Sequence, residues 1–140
     1  MKQELKQQLK DKYKIFSDIN EVNISVGDGW YDVIDGGSQL IQEYLDKRPN
    51  MVVKVGQIKE KFGEMRFYVD GHVDEYINEI INTMEDASSS VCEKCGNICK
   101  EKIRTAGWVK TMCAPCYKEH TQEKVKWFQE IAKKKIDVIK

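Results

Sequence analysis

All five cysteines of this 140-residue chain lie within 25 residues, in the stretch VCEKCGNICKEKIRTAGWVKTMCAPC. Cys92 and Cys95 form one C-x2-C pair, and Cys113 and Cys116 form a second pair after 17 intervening residues. Two thiolates two residues apart can bind the same ion from one tight turn, and a second pair completes a tetrahedron. The spacing therefore predicts a zinc site with these four cysteines as its ligands.

The predicted zinc site is structural, because four thiolates leave no open position on a tetrahedral ion. Metal binding is expected to supply the folding energy of residues 91–116, which contain few apolar side chains of their own. A redox centre is the less favoured interpretation, since the usual βαβ context is missing. Cys99 and His120 stay open as ligands, because either could replace one thiolate. The pattern resembles the treble-clef class of zinc fingers.

Charge divides the chain into two parts, although its 23 basic and 23 acidic side chains balance overall. Residues 1–90 contain 11 basic and 17 acidic side chains, whereas residues 91–140 contain 12 and 6. A polar Ala-Ser-Ser-Ser segment precedes the cysteines. This asymmetry predicts an α+β body over residues 1–88 and a zinc-binding module with a C-terminal helix over residues 89–140.

Apolar periodicity predicts the elements of the body. Four-residue spacings indicate helices over residues 3–16 and 73–84, and β-branched runs indicate strands at 22–26, 51–58 and 64–69. A helix is also expected within residues 30–47, starting either near Trp30 or, after two glycines, at Ser38. Together these elements predict an α+β fold, with a small antiparallel sheet, flanking helices and a treble-clef-like module.

The stretch GDGWYD follows the first predicted strand and is the main candidate for a binding site outside the cysteines. Strand ends are common ligand positions, and the acids and aromatic rings could form a pocket rim. The alternative is a tight turn with the tryptophan in the core. The sequence shows no nucleophile–base pair, so it gives no support to an enzyme. The candidate ligand-binding residues are Asp28, Trp30, Tyr31 and Asp32.

The last 40 residues are rich in lysine and carry two tryptophans, which is typical of a phosphate-binding surface next to a zinc finger. Glutamates interrupt the lysines at helical spacing, so a solvated helix and docking on an acidic protein are the alternatives. The candidate contacts for nucleic acid or a partner are Arg104, Lys110, Lys124, Lys126 and Trp127.

The first 14 residues lack the apolar segment of a secretory signal, and no run approaches the length of a membrane span. An odd number of cysteines also argues against a disulfide framework. We therefore expect a cytoplasmic protein without a membrane partner. Its oligomeric state stays open, a homodimer included.

Three motifs in this order carry a resemblance: GDGWYDVID, then VKVGQIKEKFGEMRFYVDG, then CEKCG with AGWVKTMCAPC. Over residues 24–117 the chain resembles a group of small uncharacterised proteins encoded by bacteriophages and prophages. The resemblance implies an accessory protein in the cytoplasm of a bacterial host cell. The function that we favour is a zinc-containing binding protein that engages and modulates a bacterial protein such as a defence component. Two other functions stay open, a nucleic-acid-binding zinc finger and a small-ligand (nucleotide-type) binding or sequestering protein.

Overall fold

The structure is a computed structural model that describes residues 1–17, 23–99, 103–105 and 108–139; of residues 103–105, 108 and 136–139 it describes the backbone only. In chain order the elements are α1 (Gln3–Lys12), a 3-10 turn (Lys14–Phe16), β1 (Asn23–Ser25), a 3-10 turn (Asp28–Trp30), α2 (Tyr31–Asp46), β2 (Val53–Lys61), β3 (Glu64–Gly71), α3 (Glu75–Ser88), β4 (Ile103–Thr105), β5 (Trp108–Met112) and α4 (Ala114–Ile139).

The α+β class is confirmed, but the sheet of the body is mixed rather than antiparallel. Strands β2 and β3 form the predicted antiparallel hairpin, with Val53 opposite Gly71 and Lys61 opposite Glu64. Strand β1 pairs with β2 in parallel, which places Ile24 opposite Ile58. Parallel neighbours need a long crossover connection, and here the connection contains α2. Strands β4 and β5 form a separate two-stranded sheet.

The core of the body lies between the sheet and two helices. Helix α2 buries Ile34, Ile41 and Leu45, and α3 buries an apolar face of the same kind. The two glycines of α2 do not break it, so the helix begins at Tyr31 rather than at Ser38. A Cβ on Gly37 would lie 2.1 Å from the sulfur of Met84, so the glycine is what lets this side chain of α3 reach α2.

The first predicted helix is shorter than expected. Helix α1 ends at Lys12, because Tyr13 adopts an extended conformation with φ −128° and ψ 123°. A 3-10 turn follows and turns Ile15 and Phe16 into the core. The third predicted helix begins at Glu75, where Asp74 accepts a hydrogen bond from the backbone N–H of Ile77 as its N-cap.

Within the part of the chain that the structure describes, no helix has both the length and the apolar character that a membrane span requires.

Candidate metal centre

The structure brings the four cysteines of the two C-x2-C pairs into one cluster. The sulfurs of Cys92, Cys95, Cys113 and Cys116 all lie within 4.8 Å of one another, and the sulfurs of Cys95 and Cys113 are 3.6 Å apart. Four thiolates bound tetrahedrally at about 2.3 Å from an ion would be separated by about 3.8 Å. The cluster therefore has the size and the donor set of a tetrathiolate metal site.

Local backbone structure places each pair of cysteines. After Cys92 the chain turns back at Gly96, which has φ +82°, and the N–H of Gly96 donates to the carbonyl of Cys92 at 2.9 Å. Glycine suits this left-handed conformation because it has no Cβ. Cys113 directly precedes α4, and Cys116 lies in its first turn. A tight turn and a helix start thus present two sulfurs each.

Burial and the neighbouring thiols shift the pKa values of the clustered cysteines. Burial opposes ionisation of Cys92, yet backbone N–H groups of Cys113, Cys95 and Lys94 together lower its pKa to about 7. Burial and the neighbouring thiols raise the pKa of Cys116, and burial is the main cause of the raised pKa of Cys95. One thiolate therefore disfavours the others, and a bound cation removes this conflict.

Cys99 and His120 lie outside this cluster. The thiol of Cys99 contacts the carbonyl of Asn97 at 3.4 Å, and its pKa is raised by burial and by the nearby thiolates. His120 is a half-buried residue of α4. Among the residues that the structure describes, the group that could hold a metal ion consists of the four predicted cysteines.

The GDGW stretch docks on the first cysteine pair. The N–H of Gly29 donates to the carbonyl of Glu93 at 2.8 Å, and the N–H of Gly27 donates to Oε2 of Glu93 at 2.9 Å. The indole N–H of Trp30 donates to the carbonyl of Val91 at 2.9 Å. Three donors from one turn of the body therefore bind the backbone and one side chain of the cysteine turn, residues 91–96.

This contact requires glycine. A Cβ on Gly29 would lie 2.1 Å from the carbonyl oxygen of Cys92, and a Cβ on Gly27 would lie 2.3 Å from that of Glu93. Both distances are far below a van der Waals contact, so any other residue would push the two segments apart. The glycines of this motif are thus explained by close backbone approach.

The structure buries the ring of Trp30, one of the four residues predicted to bind a ligand. Trp30 is 0% exposed, so a ligand cannot contact the ring in this conformation. Asp28 instead accepts a hydrogen bond from the N–H of Lys2 at 2.8 Å, and the Tyr31 hydroxyl donates to Gln8 at 3.1 Å. Asp32 is exposed at the start of α2. The alternative interpretation, a tight turn with its tryptophan in the core, agrees with this structure.

Glu93 lies between the first two cysteines, and no motif in the sequence indicated a role for it. It is 5% exposed, and burial raises its pKa although Lys110 and the N–H of Gly27 act in the opposite direction. Its Oε2 accepts the hydrogen bond from Gly27, whereas Oε1 has no partner among the described residues. A buried carboxylate next to a cysteine pair joins the body to the module.

The β2–β3 hairpin docks through its turn on strand β5 of the module, next to the segment that GDGW contacts. The hydroxyl of Thr111, in β5, donates to the carbonyl of Gly63 at 2.6 Å, and both groups are buried. Gly63 has φ +81°, and a Cβ there would lie 3.1 Å from a methyl group of Val109. Thr111 also accepts a hydrogen bond on its carbonyl from the N–H of Glu93. The hairpin turn and GDGW therefore contact the same small module.

The candidate contact residues of the basic part lie on different elements. Arg104 belongs to β4, and its side chain lies outside the described residues. Lys110 is half-buried and lines a surface depression together with Asp28 and Glu93. Lys124, Lys126 and Trp127 are exposed on α4. The predicted contact residues are thus divided between two places, with three of them on α4 and Lys110 next to the body.

Helix α4 is exposed over most of its described length. Every residue from 121 to 130 is exposed, and the apolar side chains among them, Val125, Trp127 and Phe128, are 51%, 63% and 66% exposed. Near its start the helix is tied to the cysteine turn by an ion pair of 3.3 Å between Lys94 and Glu119. The start of this long helix therefore lies against the cysteine cluster, whereas its middle is exposed to solvent.

Comparison with known protein families, with curated proteins and with solved structures finds no match for this chain.

Proposed function

We propose that this chain is a binding protein without catalytic chemistry, and that α4 is its recognition helix. The observation that carries the proposal is the exposure of every residue from 121 to 130, which includes three large apolar side chains. Large exposed apolar side chains on one element mark interaction sites more often than scattered ones do. An amphipathic helix of this kind binds by laying its apolar side into a groove of another protein.

The apolar side of α4 also defines the chemistry of the groove it fits. At about 100° per residue, Val125, Phe128 and Ala132 lie within one sector of the helix. Lys124 and Lys135 fall in the same sector, whereas Glu123 and Glu130 lie on the opposite side of the helix. A binding groove should therefore combine apolar walls with acidic side chains. This favours an acidic protein surface as the partner.

The metal is proposed to be zinc with a structural role. Soft thiolate ligands in a closed tetrahedral set are typical of structural zinc sites. Cys92, Cys95, Cys113 and Cys116 would hold the ion, and the bound ion would hold the start of α4 against the turn that contacts GDGW. Metal analysis by mass spectrometry of the purified chain tests this identity.

The bacteriophage or prophage setting, the bacterial cytoplasm and a host protein as the partner stay predictions that derive from the resemblance alone. A host defence component is one such partner, and an acidic groove on it is the surface that α4 would recognise. The structural support for a protein partner is that α4 begins at the cysteine cluster and exposes residues 121–130 to solvent.

Capture from bacterial lysate tests the function, with nuclease-treated lysate and the tagged chain as bait. Phe128→Asp places a charge in the apolar sector, and Trp127→Asp makes the same change at an exposed aromatic residue about 100° away, on the side of the helix that carries the glutamates. We expect wild type and Trp127→Asp to retain the same specific protein, and Phe128→Asp to lose it. Equal retention by both variants would show that α4 is not the binding surface.

Nucleic acid is the second candidate partner, because exposed Trp127 lies beside Lys126 and a basic helix with an exposed ring suits phosphates and bases. The same capture separates the two candidates. Retention that disappears on nuclease treatment, together with affinity that falls steeply with salt, supports nucleic acid. A protein retained after nuclease treatment supports the leading proposal.

A further inference from the structure

The body carries a groove between α2 and α3 whose chemistry matches α4. Its cavity has a volume of about 360 Å³, and its walls are mainly apolar. Val33 and Leu40 of α2 face Ile80 and Met84 of α3 across it. Leu40 is 49% exposed, so this groove leaves apolar surface in contact with solvent.

The groove is open at Gly36 because this residue has no side chain. A Cβ built on Gly36 would meet no described atom within 4 Å, in contrast to the adjacent Gly37, which lies against Met84. The exposed acids Asp32 and Glu79 line the same groove. An open apolar floor with two carboxylates therefore offers room and charge for a basic amphipathic helix.

We propose that this groove binds α4 of a second copy of the chain, and that two copies exchange their helices reciprocally. The proposal rests on the proposed function, since it takes α4 as the recognition helix and names its partner. Val125, Phe128 and Ala132 enter the groove, and Lys124 and Lys135 of the helix approach the carboxylates of Asp32 and Glu79. Helix-in-groove recognition of this kind reads side chains at helical spacing.

Charge favours a second copy as the occupant. Residues 1–90 carry a net charge of −6, and residues 91–140 carry +6, or +4 once four thiolates bind one Zn²⁺, so the part with the groove and the part with the helix attract each other. The exposure of residues 121–130 shows that α4 does not fill the groove of its own chain. In a reciprocal exchange, α4 of each copy occupies the α2–α3 groove of the other copy. The two identical contacts form a closed dimer with two-fold symmetry.

Two α4 helices packed on each other would be less favourable. Lys124 and Lys135 lie in the apolar sector of each helix, so a helix-to-helix seam would bring lysines of both copies into a poorly solvated contact. The glutamates of α4 lie on the opposite side and cannot neutralise them there. The α2–α3 groove supplies the carboxylates that such a seam lacks.

The length of the helix fits the groove. The apolar sector from residue 121 to 135 extends about 21 Å at 1.5 Å per residue, and the stretch of α3 that lines the groove, from Tyr76 to Ala87, extends about 17 Å. Three turns of α4 can therefore contact the groove along its whole length.

Sedimentation or light scattering of the 140-residue chain tests the proposal, using samples from low to high micromolar concentration. Gly36→Leu fills the groove floor, and Gly36→Ala is its matched control because it adds only one methyl group to the same helix position. We expect wild type and Gly36→Ala to reach the dimer mass. We expect Gly36→Leu to weaken dimerisation at least about tenfold, which corresponds to about 1.4 kcal/mol.

A charge exchange tests which surfaces meet. A groove variant, Asp32→Lys with Glu79→Lys, and a helix variant, Lys124→Glu with Lys135→Glu, should each stay monomeric alone because like charges then meet. Mixed together they should form a one-to-one dimer, in which both contacts pair opposite charges. A mixture that stays monomeric, or a groove variant that dimerises like wild type, overturns the proposal.

The outcomes for dimerisation and for partner binding are separable. A wild-type chain that is monomeric at all concentrations, yet captures a specific protein through Phe128, overturns the groove exchange and leaves the recognition helix standing. A dimer abolished by Gly36→Leu, in a chain whose α4 captures nothing else, supports the exchange and removes the external partner. Dimerisation unaffected by Gly36→Leu, in a variant shown to be folded by circular dichroism, places the contact elsewhere.

Discussion

The two ends of the cysteine module differ in how much of their surface the body covers. The first end, from Val91 to Cys95 with Thr111 beside it, is hydrogen-bonded to two loops of the body. The other end, α4 beyond residue 120, has ten consecutive exposed residues. Close packing against the body therefore limits which side chains fit at the first end, whereas contacts within the chain set no such limit at residues 121–130.

The physical basis of this difference is what each end needs for its own stability. The cysteine turn has few apolar side chains and is hydrogen-bonded to donors of the body, and the proposed metal would supply further folding energy. Helix α4 satisfies its backbone internally and, at 26 residues, is longer than the roughly 12–15 residues below which isolated helices are marginal in water. Spacings such as Glu130 to Lys134 add a little further support. Hydrogen bonds to the body therefore hold the cysteine turn in place, whereas α4 beyond residue 120 is a long helix without such contacts among the described residues.

The largest test of this contrast removes one metal ligand. We expect Cys92→Ser to abolish metal binding and to unfold the cysteine turn, because structural zinc contributes about 10–16 kcal/mol to the folding of comparable sites. Metal content by mass spectrometry and the NMR spectrum of residues 91–116 measure both effects. Cys99→Ser is the matched control and should keep about one ion per chain. Loss of metal in that control would show that Cys99 is itself a metal ligand.

A smaller test attacks the glycine contact between the body and the cysteine turn. Gly29→Ala would place a methyl group against the carbonyl oxygen of Cys92 and should lower the free energy of unfolding by about 3 kcal/mol. Gly36→Ala is the control at an open helix position and should raise it by about 0.5–1 kcal/mol. Denaturant unfolding measures both. Equal effects of the two substitutions would mean that Gly29 is not in close contact with the module.

A third test compares two threonines of the module. Thr111→Val removes a buried hydroxyl that donates to Gly63 and leaves that carbonyl without its partner, which should cost about 1–2 kcal/mol of unfolding free energy. Thr121→Val is the same change on exposed α4, where the hydroxyl donates to the carbonyl of Tyr117, and should stay within about 0.5 kcal/mol of wild type. If Thr121→Val is the more destabilising variant, the contact of Thr111 with the body does not stabilise the module as we infer.

The smallest effect concerns acid stability of the body, which should be independent of the module. The Tyr44 hydroxyl and the N–H of Ile77 donate to the carboxylate of Asp74 and lower its pKa. The contribution of this carboxylate is therefore present above the ordinary pKa of aspartate, about 3.9, and is lost as pH falls through the lowered folded value.

Asp74→Asn tests this pH dependence, because asparagine is also a good N-cap residue but does not titrate. We expect the unfolding midpoint of the variant to fall less steeply below about pH 4 than that of wild type. Denaturant unfolding at a series of pH values measures the difference. Parallel profiles for the two proteins would assign no acid sensitivity to this carboxylate.

The cysteine cluster and most elements could be predicted from sequence because their signals are local. The C-x2-C spacing identified Cys92, Cys95, Cys113 and Cys116, and apolar periodicity identified α2, α3 and the β2–β3 hairpin. The parallel placement of β1 escaped prediction, since three residues of strand do not reveal which neighbour they join. Glu93 and Thr111 escaped for the same kind of reason, as their partners lie far away in the chain.

What the sequence determined by itself is the chemistry that neighbouring residues set: the four thiolates, the helical and strand periods, and the division of charge between the two parts. Only the tertiary structure showed that GDGW and the hairpin turn both pack against the cysteine module. Gly27 and Glu93 are 66 residues apart, and their hydrogen bond exists because the fold brings two loops together. Gly27 and Gly29 make a close backbone contact with the module, because only a residue without a Cβ fits between the two segments.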